Sequence, residues 1–164
     1  MLFEKSNAPI IVVRGGGDLA SGVALRLQRI GFRVLVTELP GPLVVRRLAS
    51  FAQAVFDENC FVEEVRGTLV SSAENALAAM NNGEVAVAID PELHLSAGLD
   101  LFAVVDGRML KEKTDGNLAA AHHVIGLGPG FTVGQNCHAV IETNRGPFLG
   151  RVYWEGNAEL NTGI

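Results

Sequence analysis

The amino-acid sequence predicts an α/β fold in which helices cover both faces of a parallel sheet. Residues 9–13 form a continuous apolar and β-branched run, which is typical of a strand buried on both sides. Three glycines follow, and apolar residues then recur at spacings of three and four over residues 19–30, which predicts a helix that Gly31 ends. Residues 32–38 form a second buried strand. Because a short strand–helix–strand unit feeds a parallel sheet, these observations predict the fold class.

The glycine run after the first strand has the spacing of a dinucleotide-binding loop. The Rossmann fingerprint needs a glycine for the tight turn, a second for approach of the pyrophosphate, and a small residue for helix packing. Gly15, Gly17 and Ala20 fill these positions, and the helix start offers N–H groups to a phosphate. Glu38 lies 21 residues beyond Gly17, where an acid holds ribose hydroxyls and disfavours a 2′-phosphate. The alternative is a glycine-rich turn beside a crevice that binds no ligand.

Five further residues affect the charge of this predicted site or the space within it. Asp18 opens the helix, where its charge would repel a phosphate, so we expect it to act as the helix N-cap. The alternative for Asp18 is contact with a ribose hydroxyl or a metal-bound group, and Arg14 could offset its charge. Gly16 belongs to the same loop, and Gly22 adds further room. Arg46 follows the second strand, where it could meet the adenosine end of a cofactor or lie on a solvated helix face.

Weaker signals predict the elements that follow. A turn at residues 39–42 places Pro42 in the first turn of a helix that continues to Ala49. The remaining pattern predicts strands over 61–65 and 67–70, a helix over 72–80, and strands over 85–89 and 101–105. The last two strands are followed by Asp90 and Asp106. Both carboxylates are therefore expected at the rim where open α/β sheets bind ligands.

A small β-rich C-terminal segment is predicted after the α/β part, because no helical pattern separates its strand-like runs. These runs cover residues 123–127, 138–142 and 149–154. We expect a Rossmann-like nucleotide-binding domain over residues 1–115 and a β-rich segment over 116–164, which would be the start of a truncated second domain. Open strand edges in this segment favour an interface, and a homodimer is one candidate.

A second glycine-rich loop spans residues 126–134. Gly128 and Gly130 leave backbone N–H groups uncovered, and such a concave stretch can bind an anion. Thr132 would then be the hydroxyl donor and Arg145 a charge partner. The alternative is a tight corner between two strands.

Composition and charge exclude several classes of protein. The chain has 164 residues, 48% of them apolar and 19% charged, which is typical of a globular protein with a filled core. Its net charge of −5 gives no general attraction to nucleic acid. The sequence has no apolar run long enough to cross a membrane, and its first ten residues lack the pattern of a signal peptide. We therefore expect a cytoplasmic protein that binds neither nucleic acid nor membrane.

The histidines and cysteines predict neither a metal site nor a nucleophile. His122 and His123 are adjacent, so in a strand their side chains point to opposite faces. Cys137 and His138 diverge in the same way. Cys60 and Cys137 are far apart and lack the CxxC spacing, so we expect free thiols.

Three separated stretches carry a family resemblance. They are VRGGGDLASGVA at 13–24, the segment from Glu38 to SFAQAV at 50–55, and IGLGPGFTVG at 125–134 continuing through HAVIET at 138–143. With TGI at 162–164, they resemble the YqeB family of selenium-dependent molybdenum hydroxylase accessory proteins, which are related to the xanthine dehydrogenase accessory protein XdhC. Pro147 stands where a histidine is expected, so no family role is carried over to that position. Family members continue past the TGI stretch, so we expect a longer natural polypeptide.

The resemblance implies a Rossmann-like fold and a role in the maturation of molybdenum hydroxylases. The leading hypothesis is an accessory protein that binds NAD(P) or another adenine or molybdopterin-type nucleotide at the Gly15 loop. Its partners would be that nucleotide or the molybdenum cofactor, and a molybdenum hydroxylase. The alternatives are an NAD(H)-dependent oxidoreductase and a non-catalytic nucleotide-binding or scaffold module.

Overall fold

A computed structural model describes residues 7–110 and 114–160 as one nine-stranded mixed sheet with helices packed against it. The strands are β1 (Ile10–Arg14), β2 (Arg33–Glu38), β3 (Asn59–Val62), β4 (Val65–Val70), β5 (Val85–Ile89), β6 (Leu101–Asp106), β7 (His123–Leu127), β8 (Ala139–Ile141) and β9 (Val152–Tyr153). Their order across the sheet is β3-β4-β5-β2-β1-β6-β7-β8-β9. The two edge strands β3 and β9 are antiparallel to their neighbours, and all other pairs are parallel. The prediction of an α/β fold with a largely parallel sheet is therefore confirmed.

Helices lie on both faces of this sheet, although the described residues contain only three α-helices. They are α1 (Asp18–Arg29), α2 (Ala54–Asp57) and α3 (Ala73–Asn81). Alternate residues of a strand point to opposite faces, and β1 shows this directly. Ile11 and Val13 pack in one cluster with residues of α1, whereas Ile10 and Val12 pack in a second cluster with residues of α3. The connections on either side of β7 contain only a short 3-10 helix (Leu118–Ala120) among their described residues.

The chain changes direction across the sheet between β1 and β6. From β1, the strands β2, β5 and β4 lie on one side, and β6, β7 and β8 lie on the other. The connections that leave the carboxyl ends of β1 and β6 therefore diverge and leave a crevice between them. In open α/β sheets, ligands bind at this kind of topological switch point.

The segment between β2 and α2 differs from the prediction. The prediction of a helix from Pro42 to Ala49 is wrong. The chain has no regular structure up to Arg46 and then forms 3-10 helices at Arg47–Ala49 and Phe51–Gln53. Phe51 is fully buried and anchors the segment to the sheet. The side chains of Leu43, Val45 and Leu48 are all more than 90% exposed, so they do not pack against the core as the apolar face of a regular helix would.

The C-terminal strands extend the main sheet. β7 pairs with β6 in parallel, and β8 pairs with β7 in the same way. β9 covers only two of the residues expected at 149–154, because Gly150 adopts a positive φ of 81° and the chain turns there. The TGI stretch at 162–164 lies outside the described residues. None of the helices described is long and apolar enough to cross a membrane.

Candidate functional site

A crevice of about 420 Å³ opens at the carboxyl ends of β1, β2 and β6. The loop after β1 and the start of α1 form one wall of it, and residues 107–110 after β6 form the opposite wall. Leu39, Leu43 and Val44 after β2 add an apolar side. Its volume is within the range of small-molecule sites, and its position is the switch point of the sheet.

The glycine loop is shaped by close contacts at two of its three residues. Gly15 adopts a positive φ of 86°, and its N–H donates to the carbonyl of Thr37 at 2.8 Å. A Cβ at Gly16 would lie 2.8 Å from the backbone nitrogen of Ala52, so a larger residue does not fit there. At Gly17, by contrast, no atom lies within 4 Å of a Cβ position. The packing of the described chain therefore does not require a glycine at position 17, and the space beside it is open.

The start of α1 presents backbone N–H groups to the crevice. Gly17, Asp18 and Ala20 all line it, and their N–H groups make no hydrogen bond to any residue within 7–110 or 114–160. The helix dipole adds a partial positive charge at the same place. A Cβ at Gly107 would lie 2.9 Å from the Cβ of Ala20, so this glycine lets the helix start approach β6 closely. The arrangement suits a bound anion.

Glu38 lies at the end of β2 and faces the same crevice. Its Oε1 accepts a hydrogen bond from the Gly16 N–H at 2.6 Å, and its Oε2 accepts one from the Leu39 N–H at 2.9 Å. A carboxylate offers about four acceptor positions, so each oxygen can accept another donor. Glu38 thus supports the glycine loop and can still bind hydroxyl groups of a ligand.

Asp18 does not cap the helix, so the N-cap prediction is wrong. Gly17 occupies the cap position in an extended conformation, and no side chain caps the helix there. Asp18 is the first helical residue, and its Oδ1 accepts a hydrogen bond from the adjacent Leu19 N–H at 3.0 Å. Its Oδ2 lies 3.5 Å from the Nη1 of Arg46, and both side chains are at least half exposed. Arg46 therefore partly neutralises the carboxylate that would repel a phosphate.

Four charged residues form a cluster between the β1 and β6 ends, and no pattern in the sequence predicts it. The buried carboxylate of Asp106 accepts hydrogen bonds from the Arg108 Nε and Nη2 at 3.0 and 2.6 Å, and it lies 3.6 Å from the Arg14 Nη1. Asp115 contacts the Arg108 Nη2 and lies 3.4 Å from the Arg14 Nη1. Both arginines line the crevice. Asp106 and Arg14 had individual signals in the sequence, but no local pattern links either of them to Arg108 or Asp115.

The ion pairs in this cluster shift two pKa values. The hydrogen bond from Arg108 is the main reason that the pKa of Asp115 falls to about 2. Burial lowers the pKa of Arg108, but its hydrogen bonds to Asp106 and Asp115 outweigh this effect and raise it overall. Asp115 and Arg108 are therefore both charged at neutral pH.

The second glycine loop lies away from the crevice. A Cβ at Gly126 would lie 2.2 Å from the buried Phe131 ring, so this glycine is needed for packing. The Thr132 N–H donates to the Oδ1 of Asn136 at 2.7 Å, and the Asn136 amide donates to the Gly130 carbonyl at 3.1 Å. Gly128 does not line the crevice. Its nearest crevice residue is Met109, whose Cε would lie 3.3 Å from a Cβ built on Gly128. The structure therefore does not bring Gly128, Gly130 or Thr132 together with the first loop.

The remaining candidates occupy structural positions. The Asp90 carboxylate accepts hydrogen bonds from the N–H groups of residues 94–96, at 2.7 to 3.2 Å. Both cysteines are free, and burial raises the pKa of the Cys137 thiol, which disfavours a nucleophilic role. The Nδ1 of His138 accepts the Val124 N–H at 2.9 Å, and Arg145 is exposed. No group of three or more metal-binding side chains occurs among the described residues.

Gly22 lies in α1 but does not line the crevice. It is exposed, and no atom lies within 4 Å of a Cβ at this position. We expect Gly22→Ala to raise the free energy of unfolding by about 0.5–1 kcal/mol, because alanine favours a helix interior more than glycine does. Urea denaturation of the two proteins measures this difference, and unchanged or lower stability would contradict the expectation.

The fold and the crevice define the chain as an α/β protein with a glycine-lined crevice at the carboxyl edge of its sheet. The chain is 45% identical over 161 residues, 98% of its length, to the Escherichia coli (strain K12) protein called "Uncharacterized protein YqeB". This similarity supports the assignment to the YqeB family. The chain spans only 30% of the length of that relative. No family model matches the chain. No solved structure matches it either.

Proposed function

We propose that this chain is a Rossmann-like nucleotide-binding module of an accessory protein in molybdenum hydroxylase maturation. The observation that carries the binding proposal is Gly17, which has open space at its Cβ position beside unbonded N–H groups of α1. Because Gly17 also lines the crevice and has no side chain, a ligand phosphate can approach the backbone closely at this position. The switch point between β1 and β6 supports the same location.

The crevice residues support a specific orientation of the nucleotide. The phosphates would accept hydrogen bonds from the N–H groups of Gly17 and Asp18 at the start of α1. The ribose hydroxyls would donate to Glu38, whose negative charge disfavours a 2′-phosphate. The base would contact the apolar side chains of Leu39 and Val44. This orientation favours NAD or another adenine or molybdopterin-type nucleotide over NADP.

The role in molybdenum hydroxylase maturation rests on the family resemblance. The stretches at 13–24 and 125–143 carry that resemblance, and the similarity to the Escherichia coli relative extends over both. The first stretch also supplies the glycine loop of the crevice. A nucleotide or the molybdenum cofactor as ligand, and a molybdenum hydroxylase as partner, follow as parts of the same proposal.

A ligand titration tests the binding proposal. NAD, NADP, ATP, CTP and molybdopterin nucleotides are added separately while the melting temperature of the full chain is followed. A ligand that binds only the folded state stabilises it by about 2.7 kcal/mol at 100 times its Kd, which raises the melting temperature by roughly 5–10 °C. We expect such a shift with an adenine or molybdopterin-type nucleotide and a smaller one with NADP. The absence of a shift with all five ligands would overturn nucleotide binding, and hydride transfer from NADH to an acceptor would contradict the accessory role.

A further inference from the structure

We propose that Arg108 is the residue that recognises the ligand phosphate, and that Asp115 is an internal anion that competes with the phosphate for it. The inference rests on the proposed nucleotide site and identifies its charge-recognition residue. Arg108 directly follows Gly107, which packs against the start of α1. Its backbone also touches the glycine loop, since a Cβ at Gly15 would lie 3.3 Å from the Arg108 Cα. The guanidinium is therefore attached to a segment that borders the glycine loop and the start of α1 in the crevice.

One edge of the Arg108 guanidinium is held by a buried partner. Its Nε and Nη2 donate to Asp106, whose side chain is 3% exposed. Its Nη1 makes no hydrogen bond with any described residue, although Arg108 lines the crevice. Arginine binds phosphate through two parallel N–H groups, and Asp106 uses only part of this donor set. Arg108 therefore has donor capacity for a second anion.

Asp115 is the second anion in this structure. It contacts the same Nη2 atom, but its side chain is 58% exposed. A carboxylate with this exposure is already largely hydrated, so breaking its ion pair with Arg108 costs little free energy. Release of Asp106 would instead leave its own buried carboxylate without its closest counter-charge. The two carboxylates on one guanidinium thus differ in function, because Asp106 fixes its position and Asp115 can be exchanged.

The other arginines near the crevice are less suited to this role. Arg14 is buried between Asp106 and Asp115, and its Nη2 also donates to the carbonyl of Pro91 at 2.9 Å. Arg46 is 70% exposed and is paired with Asp18. A phosphate at the start of α1 would meet the negative charge of Asp18, so a nearby cation is needed to offset it. Arg108 is a half-buried guanidinium that lines the same crevice as the start of α1 and keeps an Nη1 that is unbonded within the described residues.

The test uses isothermal titration of pyrophosphate and ADP into the full chain and three variants. Arg108→Gln removes the proposed recognition group, and Asp115→Asn removes the proposed competitor. Glu64→Gln is the matched control, because it also removes one exposed carboxylate from an arginine, Arg29, outside the crevice. We expect Arg108→Gln to weaken binding of both probes about tenfold or more, since a hydrogen bond to a charged group is lost. Asp115→Asn should tighten binding about threefold or more, and Glu64→Gln should leave it unchanged.

The outcomes separate this inference from the proposed function. Binding by the wild-type chain that neither Arg108→Gln nor Asp115→Asn alters would overturn the inference and leave the nucleotide site standing. An equal gain with Asp115→Asn and Glu64→Gln would also overturn it, because only net charge would then matter. If neither the wild-type chain nor Asp115→Asn binds either probe, both proposals fail. Asp115 is exposed, so its variant gives a result even if Arg108→Gln does not fold.

Discussion

Gly17→Val is expected to abolish nucleotide binding, with an affinity loss of at least about 100-fold, while the chain stays folded. Valine can adopt the backbone conformation of Gly17, whose φ is −65° and ψ is 176°. Its side chain meets no atom of the described protein at the Cβ position. The added methyl groups would occupy the space that the phosphate needs beside the N–H groups of α1. Because such an obstruction removes several charge-assisted hydrogen bonds together, a loss of about 3 kcal/mol or more is expected.

Calorimetric titration of the tightest nucleotide, together with a melting curve of each variant, measures this effect. Gly22→Ala is the matched control, because it changes a glycine of the same helix at a position that does not line the crevice. It should bind the nucleotide with the affinity of the wild-type chain. Retained affinity in Gly17→Val would show that the phosphate binds elsewhere, and nucleotide binding at this loop would then be wrong.

The sequence predicts the part of the fold whose signals are local. The strands over residues 9–13 and 32–38 and the helix between them depend on periodicity and on glycines at short spacing. Glu38 was placed correctly beside the glycine loop, because its distance from Gly17 along the chain follows from one helix and one strand. The observed bounds of helix α3 and strands β5 and β7 also match the predicted ones closely, because these predictions use local sequence patterns.

The parts that the sequence does not predict depend on distant contacts. Arg14 and Asp115 are 101 residues apart, and their contact depends on the pairing of β1 with β6, which are distant in the sequence. The segment after β2 was predicted as a helix because propensity cannot reveal that Phe51 is the residue buried against the sheet. Asp18 was expected as the N-cap because it is the favoured residue type, yet the extended backbone of Gly17 shifts the helix start by one residue.

The glycine loop at residues 126–134 shows that composition alone does not predict the role of a loop. Its composition is compatible with anion binding and with a tight corner, and the sequence does not show that Gly126 is needed for the packing of Phe131. The loop that does face the first glycines is residues 107–110, where Gly107 is an isolated glycine in the sequence. The sequence therefore does not predict that residues 107–110 line the crevice, because their position depends on the contact of Gly107 with Ala20 and not on a motif.

Asp106→Asn is expected to lower the free energy of unfolding at pH 7 by about 3–5 kcal/mol. Asp106 is 2% exposed and is the buried counter-charge of Arg108 and Arg14. The Nε of Arg14 is already buried without a hydrogen-bond partner among the described residues, so loss of the Asp106 charge adds to an existing cost at this arginine. Removal of one partner from a buried ion pair leaves an uncompensated charge, which costs more than the pair itself contributes. Urea denaturation of the variant and of the wild-type chain measures the difference.

Asp115→Asn provides the contrast, because it removes the exposed carboxylate from the same arginines. We expect it to cost no more than about 1 kcal/mol at pH 7, since exposed ion pairs are screened by solvent. The folded-state pKa of Asp115, about 2, lies below its ordinary value of 3.8. Its contribution is therefore present above pH 3.8 and is lost as the pH falls toward 2. An equal cost for the two variants at pH 7 would mean that burial does not distinguish the two carboxylates, and the fixed role of Asp106 would then be wrong.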